Sequence, residues 1–397
     1  MLAGTVARAA AQWVLVWMFA VGDGAAAVGA YSYALAVATP VFLLLTLGLR
    51  QVWVAGHSPV PFATFFLGRV ATSVVAAAIV LGLCALPGGP VPALALPVVA
   101  FKALDAVLDL RFARLQRDRP PAALGSAMSF SAVATAGAAA GVYGLSGEVV
   151  PAVWAAVLGP ALTLAVFRGP PARRRRGRPR SGHVRRLLAV GLPAGLADAL
   201  TALAGYVPVL ALGLARGDAA VGVFSTALYG VTLANLAMSA AQTVLLGPLA
   251  VVAVGQGPRE VVRRSRRVTG RLLLPSVLAA AALLALGRDI LGWLYGPEFR
   301  MHPSELWPLA ATIALTPLLT LSGTVLMALN RFGANMWAAA FAVAGSTALA
   351  CAFATLGRLG MTEAGVVLLT GTVCRIVTAG ALIGRLSREG ERCRRTG

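Results

Sequence analysis

AAVGAYSYAL, residues 26–35, returns later in the same chain as AAVGVFSTAL, residues 219–228. The copies differ only at Ala30/Val223, Tyr31/Phe224 and Tyr33/Thr226, and an aromatic ring is kept at the second of these. Each copy opens an apolar segment and lies close behind an acid, Asp23 or Asp218. A second pair of landmarks follows. GRVATSVVAAAIV at 68–80 opens one later segment and GRLLLPSVLAAAALL at 270–284 another. The chain therefore reads as two copies of one unit.

The segments between these landmarks are membrane spans. Hydrophobic residues make up 58% of the chain and charged residues 12%, with a mean hydropathy of +0.81. A soluble domain is nearer half apolar and a quarter charged. Apolar stretches of roughly 20 residues, enough to cross a bilayer, succeed one another along the chain. They predict helices at 4–21, 26–49, 68–86, 91–110, 122–144, 149–167, 187–213, 219–246, 270–287, 306–329, 333–357 and 364–384. Breaks such as LPGGPVP at 86–92, RDRPP at 117–121 and GQGPRE at 255–260 separate them. No stretch reads as a cleaved signal peptide. The expected architecture is an all-α polytopic membrane protein of about 12 transmembrane helices. A six-helix bundle at 1–167 is joined by a basic linker at 168–186 to a second at 187–384, with a basic tail at 385–397.

The net charge of +20 is distributed by side, which argues against nucleic acid as a partner. Alternate loops collect Arg8, Arg50, Arg69, the arginines at 111–119, the run from Arg168 to Arg186, those at 259–271, Arg331 and the tail. The opposite loops hold only Arg216, Arg288, Arg300 and Arg358. By the positive-inside rule the rich side is cytoplasmic, and both termini lie there. RRRRGRPR at 173–180 is then a topology signal before it is a binding site. Six spans per half give the halves the same orientation, related by an axis along the membrane normal. Duplicated halves around a cavity are a device of transporters.

Several phrases carry a family resemblance. GLRQVWVAGHSPVPFATFFLGR at 48–69 resembles the end of the second helix in oligosaccharide (Wzx-like, lipopolysaccharide biosynthesis) flippases. FKALDAVLDLRFARLQRDR at 101–119 resembles their fourth-helix signature, carried by Lys102, Asp109, Gln116 and Arg117. GLPAGL at 191–196, AAQTVLLGPLA at 240–250, ILGWLYGPEF at 290–299 and VLMALNRFG at 325–333 fall where that family has similar phrases. Two positions depart from the pattern: no acid stands near Ala55, and Leu108 replaces the serine before the helix-four aspartate.

The family belongs to the multidrug/oligosaccharidyl-lipid/polysaccharide (MOP) exporter superfamily. The resemblance implies a V-shaped, MATE-like pair of bundles in the bacterial cytoplasmic (inner) membrane. It also implies movement of an undecaprenyl-diphosphate-linked oligosaccharide to the outer leaflet for surface polysaccharide such as O-antigen. Lipid-linked oligosaccharide, membrane lipids, and a glycan polymerase or other surface-polysaccharide assembly proteins are the implied partners. No cofactor is expected, and coupling to H+ or Na+ is left open.

Charges inside spans are costly and tend to face a partner or a polar cavity. Arg8 and Gln12 lie one turn apart, and Arg50 ends the second span. Lys102, Asp105 and Asp109 recur at three- and four-residue spacing and share one helix face. Asp198 and Arg375 are the deepest charges, and Gln242 lies in the family-like phrase at 240–250. These nine residues are the substrate or cavity candidates. Each also has a plainer reading, as a snorkelling topology residue or as half of an internal ion pair.

Two rivals remain. A multidrug (MATE-like) cation-coupled exporter would share the fold, and a polytopic enzyme acting on lipid-linked sugars would need a catalytic group on a substantial outer loop. The outer loops are short, with His302 and Glu305 the single acid-base pairing, so no catalytic set is expected. Cys84, Cys351, Cys374 and Cys393 have no metal-ligand spacing.

Overall fold

A computed structural model describes residues 2–54, 61–86, 92–167 and 181–396. The linker run at 173–180, Ala55 and His57 lie outside them. Among the described residues the chain is helical, with no strand. It separates into two compact units, residues 1–202 and 203–397.

The first unit begins with α1 (Leu2–Leu45), followed by the short α2 (Leu49–Val54), α3 (Phe62–Cys84), α4 (Pro92–Asp118) and α5 (Pro121–Ser146). Then come α6 (Val149–Ala156), α7 (Leu158–Val166) and the first half of α8 (Ser181–Arg216). The second unit holds the rest of α8 with α9 (Asp218–Gly255), α10 (Pro258–Tyr295), α11 (Pro303–Ala328), α12 (Phe332–Thr355) and α13 (Met361–Thr396). Among the described residues ten helical stretches are long and apolar enough to cross a membrane, α6 and α7 together making one of them, and α1 is long enough for two crossings. The chain is a multi-pass membrane protein.

The repeat is written in the backbone as well as in the sequence. Gly24 breaks α1 with φ 76° and ψ −167°, and Gly217 caps α9 with φ 79° and ψ −174°. Each stands two residues before its copy of the phrase. That backbone conformation is essentially closed to residues with a Cβ. Burial is repeated too: Val28 and Val221 are both 0% exposed, and Ala34 and Ala227 are both 2%. The ring positions match, with Tyr31 and Phe224 buried. The same backbone turn therefore sends the same buried face into each unit.

Several boundaries differ from the sequence reading. α3 starts at Phe62, not 68, and α10 starts at Pro258, twelve residues before the predicted start at 270. The arginine-rich stretch at 259–271, read as a loop, is helix. Hydropathy marks where a helix leaves the bilayer, whereas arginine is a good helix former and lets it continue beyond. The predicted span 149–167 is two short helices, α6 and α7, meeting at Val157.

Lipid tails provide no hydrophobic drive between helices, so close packing at small residues holds such bundles together. In the first unit a Cβ on Gly4 of α1 would come within 2.7 Å of Met128 on α5. In the second, one on Gly365 of α13 would come within 3.0 Å of Pro308 on α11. Buried hydroxyls return to their own helix: Thr312 Oγ1 donates to Pro308 O and Thr316 Oγ1 to Thr312 O.

Candidate functional site

In the first unit α4 carries a ladder of polar side chains, and three other elements supply its partners. The three- and four-residue spacing of Lys102, Asp105 and Asp109 continues through Phe112 to Gln116, which keeps all five on one helix face. Arg8 of α1 pairs with Asp105. Arg50 of α2 pairs with Asp109, and its Nη2 also donates to Gln116 Oε1 at 3.2 Å. Arg69 of α3 approaches the same aspartate, Nη2 lying 4.0 Å from Asp109 Oδ2. Lys102, partly exposed, stands one turn before Asp105 on the same helix face. The Arg8 guanidinium also stands 5.6 Å above the buried Phe112 ring.

Aromatic side chains fix the frame. Trp53 packs edge-on to Phe62 and Phe65, with centroids 5.0 and 5.3 Å away. Arg111 and Arg114 of α4 lie over the Phe66 and Phe62 rings at 4.6 and 4.8 Å, and Arg117 over Trp53 at 4.8 Å. Contacts of this kind contribute about 0.5–2 kcal/mol each. They hold the start of α3 and the whole of α2 against α4, which brings Arg50 and Arg69 to one carboxylate.

Arg69 is the residue that sequence reasoning missed, having treated it as a topology cation. Its side chain is 1% exposed, and its Nε and Nη2 have no hydrogen-bond acceptor. The repeat offered a signal only by contrast. Arg271 holds the equivalent place in GRLLLP and is exposed, while α11 carries no Asp, and no Glu beyond its first turn, to receive it. Gln116 was legible as one further step of the ladder.

The remaining candidates are placed separately. Gln12 is exposed one turn beyond Arg8. Asp198, also in the first unit, is exposed on α8. In the second unit Gln242 of α9 lies 4.0 Å from Met327 Sδ. Arg375 of α13 is partly exposed where α11 and α12 meet it: a Cβ on Gly323 would be 3.9 Å from its Nη2 and 3.4 Å from Asn335 Oδ1. That Asn335 oxygen is buried without a donor.

The ladder's cations, Arg8, Arg50, Arg69 and Lys102, outnumber its carboxylates, Asp105 and Asp109. Arg8, Asp105, Arg50 and Asp109 are each between 25% and 31% exposed, so a ligand can reach them. An arrangement with positive charge in excess and part-exposed guanidinium groups can attract an anionic oxygen. No group of His, Cys, Asp or Glu among the described residues could hold a metal ion.

No family model and no curated protein matches the chain. Solved structures do. The chain is similar to a multidrug resistance MATE family transporter of the MOP superfamily in its inward-facing conformation, at TM-score 0.75 and 14% identity over 96% of each chain. The outward-facing form of a MATE family transporter matches at TM-score 0.68 and 16% identity, over 98% of this chain and 94% of that one. A MOP superfamily transporter from Pyrococcus furiosus, whose binding pocket is described as reversed in polarity, matches at 0.70 and 15%, again over 98% and 94%. The fold is therefore that of these transporters.

Proposed function

We propose that the chain is a membrane transporter whose cargo is a lipid-linked oligosaccharide, carried across the cytoplasmic membrane for surface polysaccharide assembly. The supporting observation is the cationic excess of the α4 ladder, with the part-exposed guanidinium groups of Arg8 and Arg50 along it. A cargo on a diphosphate needs positive charge within the membrane, a polar path for the glycan and lipid for the tail. Paired guanidinium donors fit phosphate oxygens in a way a lone ammonium does not. The solved transporters of this fold support transport and do not choose the cargo.

The second reading is export of drugs, favoured by the multidrug transporters among the structural matches. A drug cation would be repelled by a ladder of net positive charge. Purified protein in liposomes decides between them. On the proposed reading it moves a polyprenyl-diphosphate oligosaccharide between leaflets and leaves a cationic dye where it was. Uptake of the dye alone replaces the proposal with the exporter.

A further inference from the structure

α10 and α13 of the second unit both pack on α11. Between them lies a cavity of about 690 Å³. One wall is the first turns of α10, which bring Arg259, Arg263, Arg266 and Arg267 to it. The facing walls are mainly apolar, built by Leu318 and Val325 of α11, with Ser322 between them, and by Ile376 and Ile383 of α13. Gly380 and Gly384 open α13 toward the cavity, and a Cβ on either would meet nothing within 4 Å.

We propose that this cavity holds the headgroup and upper chain of an anionic phospholipid from the cytoplasmic leaflet. Its charge is only partly spent on neighbouring side chains. Glu260 takes Arg263, Nε to Oε2 at 2.7 Å, and Arg264, Nε to Oε1 at 2.9 Å. Arg266 and Arg267 have no ion-pair partner among the described residues. These arginines are exposed, and they stand along the rim of a hollow whose facing wall is largely apolar. That combination matches an amphiphile with a phosphate at one end.

The position along the helix agrees. α10 has 38 residues, about 57 Å at 1.5 Å each, and the hydrocarbon core is about 30 Å thick. Its arginines precede LLLPSVLAAAALL at 272–284, so they meet the membrane at headgroup level. Ser265 and Thr269, buried on the same wall, add hydroxyls beside the arginines. The site lies within one unit and stands whatever cargo the chain carries.

Native mass spectrometry of the purified full-length protein, titrated with phosphatidylglycerol, tests this. The wild type should retain phosphatidylglycerol over phosphatidylcholine. Arg266→Gln with Arg267→Gln should weaken retention about tenfold or more, since each basic residue at an anionic surface contributes a factor of about five. Arg264→Gln with Arg271→Gln removes equal charge outside the cavity and should change little. Gly384→Leu keeps every arginine, fills open space and should also release the lipid. Equal losses from both arginine pairs, or full retention by Gly384→Leu, would overturn the site. Displacement of phosphatidylglycerol by farnesyl diphosphate at lower concentration would overturn the phospholipid assignment in favour of cargo.

Discussion

Asp109 serves two arginines, and only one of them reaches water: Arg50 is 31% exposed and Arg69 1%. Removing the carboxylate leaves two guanidinium groups facing each other, one of them buried. Loss of one partner of a buried pair costs about 3–5 kcal/mol, and the partial exposure of Asp109 reduces this to about 2–3 kcal/mol. Asp109→Asn should therefore lower the melting temperature in detergent far more than Arg50→Gln, which costs about 1 kcal/mol. Equal shifts would show that Arg69 does not depend on this aspartate. Arg375 invites a different experiment, because its surroundings can be altered without changing its charge. A Cβ on Gly323 makes ordinary contact with Asn335 and with the guanidinium, so Gly323→Ala should keep transport. Gly323→Leu should displace Arg375 and abolish the proposed transport, as Arg375→Ala should, while Arg375→Lys retains part of it. Transport assays on variants expressed at wild-type level read this directly, and full activity of Arg375→Ala would remove it from the machinery. The ladder was legible because spacing on one helix is visible in sequence. Its partners on α1, α2 and α3 were not, since three separate helices must pack before Arg8, Arg50 and Arg69 arrive.

Elements show the same division between local and assembled information. Gly24 and Gly217 share a backbone conformation that a side chain resists at about 1–3 kcal/mol. Open space surrounds Gly217, so the cost of Gly217→Ala is purely conformational. Gly205 in α8 also has open space, but its backbone is helical. Gly205→Ala should be neutral or stabilising by up to about 1 kcal/mol, and Gly217→Ala should lower the thermal midpoint. If the two alanines behave alike, the turn at Gly217 carries no strain. Span number and order could be read from hydropathy, but helix ends could not. α10 and α13 run on as charged helix past the apolar window, and α2 is too short to register as one.

At the scale of the molecule, the repeat predicts a duplicated six-helix plan, and the distribution of arginine predicts its direction. Single cysteines in a cysteine-free background test that direction. Gly147 and Gly257 have positive φ, so the neighbouring exposed positions Ser146 and Gln256 are better sites. Ser146→Cys should react with an impermeant maleimide added outside intact cells, and Gln256→Cys only after lysis. Reaction of Gln256→Cys from outside would invert the assignment. The duplication says less about cargo, because the two copies have diverged where chemistry sits. The charge ladder belongs to α4, and α11, its counterpart, carries no carboxylate beyond its first turn. Fold was legible from periodic apolar spans, which need only composition. Selectivity depends on which charges are cancelled after packing, which composition does not record.

That cancellation also bears on biogenesis. α4 is missing from the helices apolar enough to cross on their own merits. Each of its mid-helix charges would oppose release from the translocon into lipid by about 2.5–3.5 kcal/mol. Yet Arg8, Arg50 and Arg69 all precede Asp105 and Asp109 in the chain, so the ribosome delivers the countercharges first. The nascent helix emerges to find its partners already inserted. The order of translation thus does for α4 what hydropathy cannot.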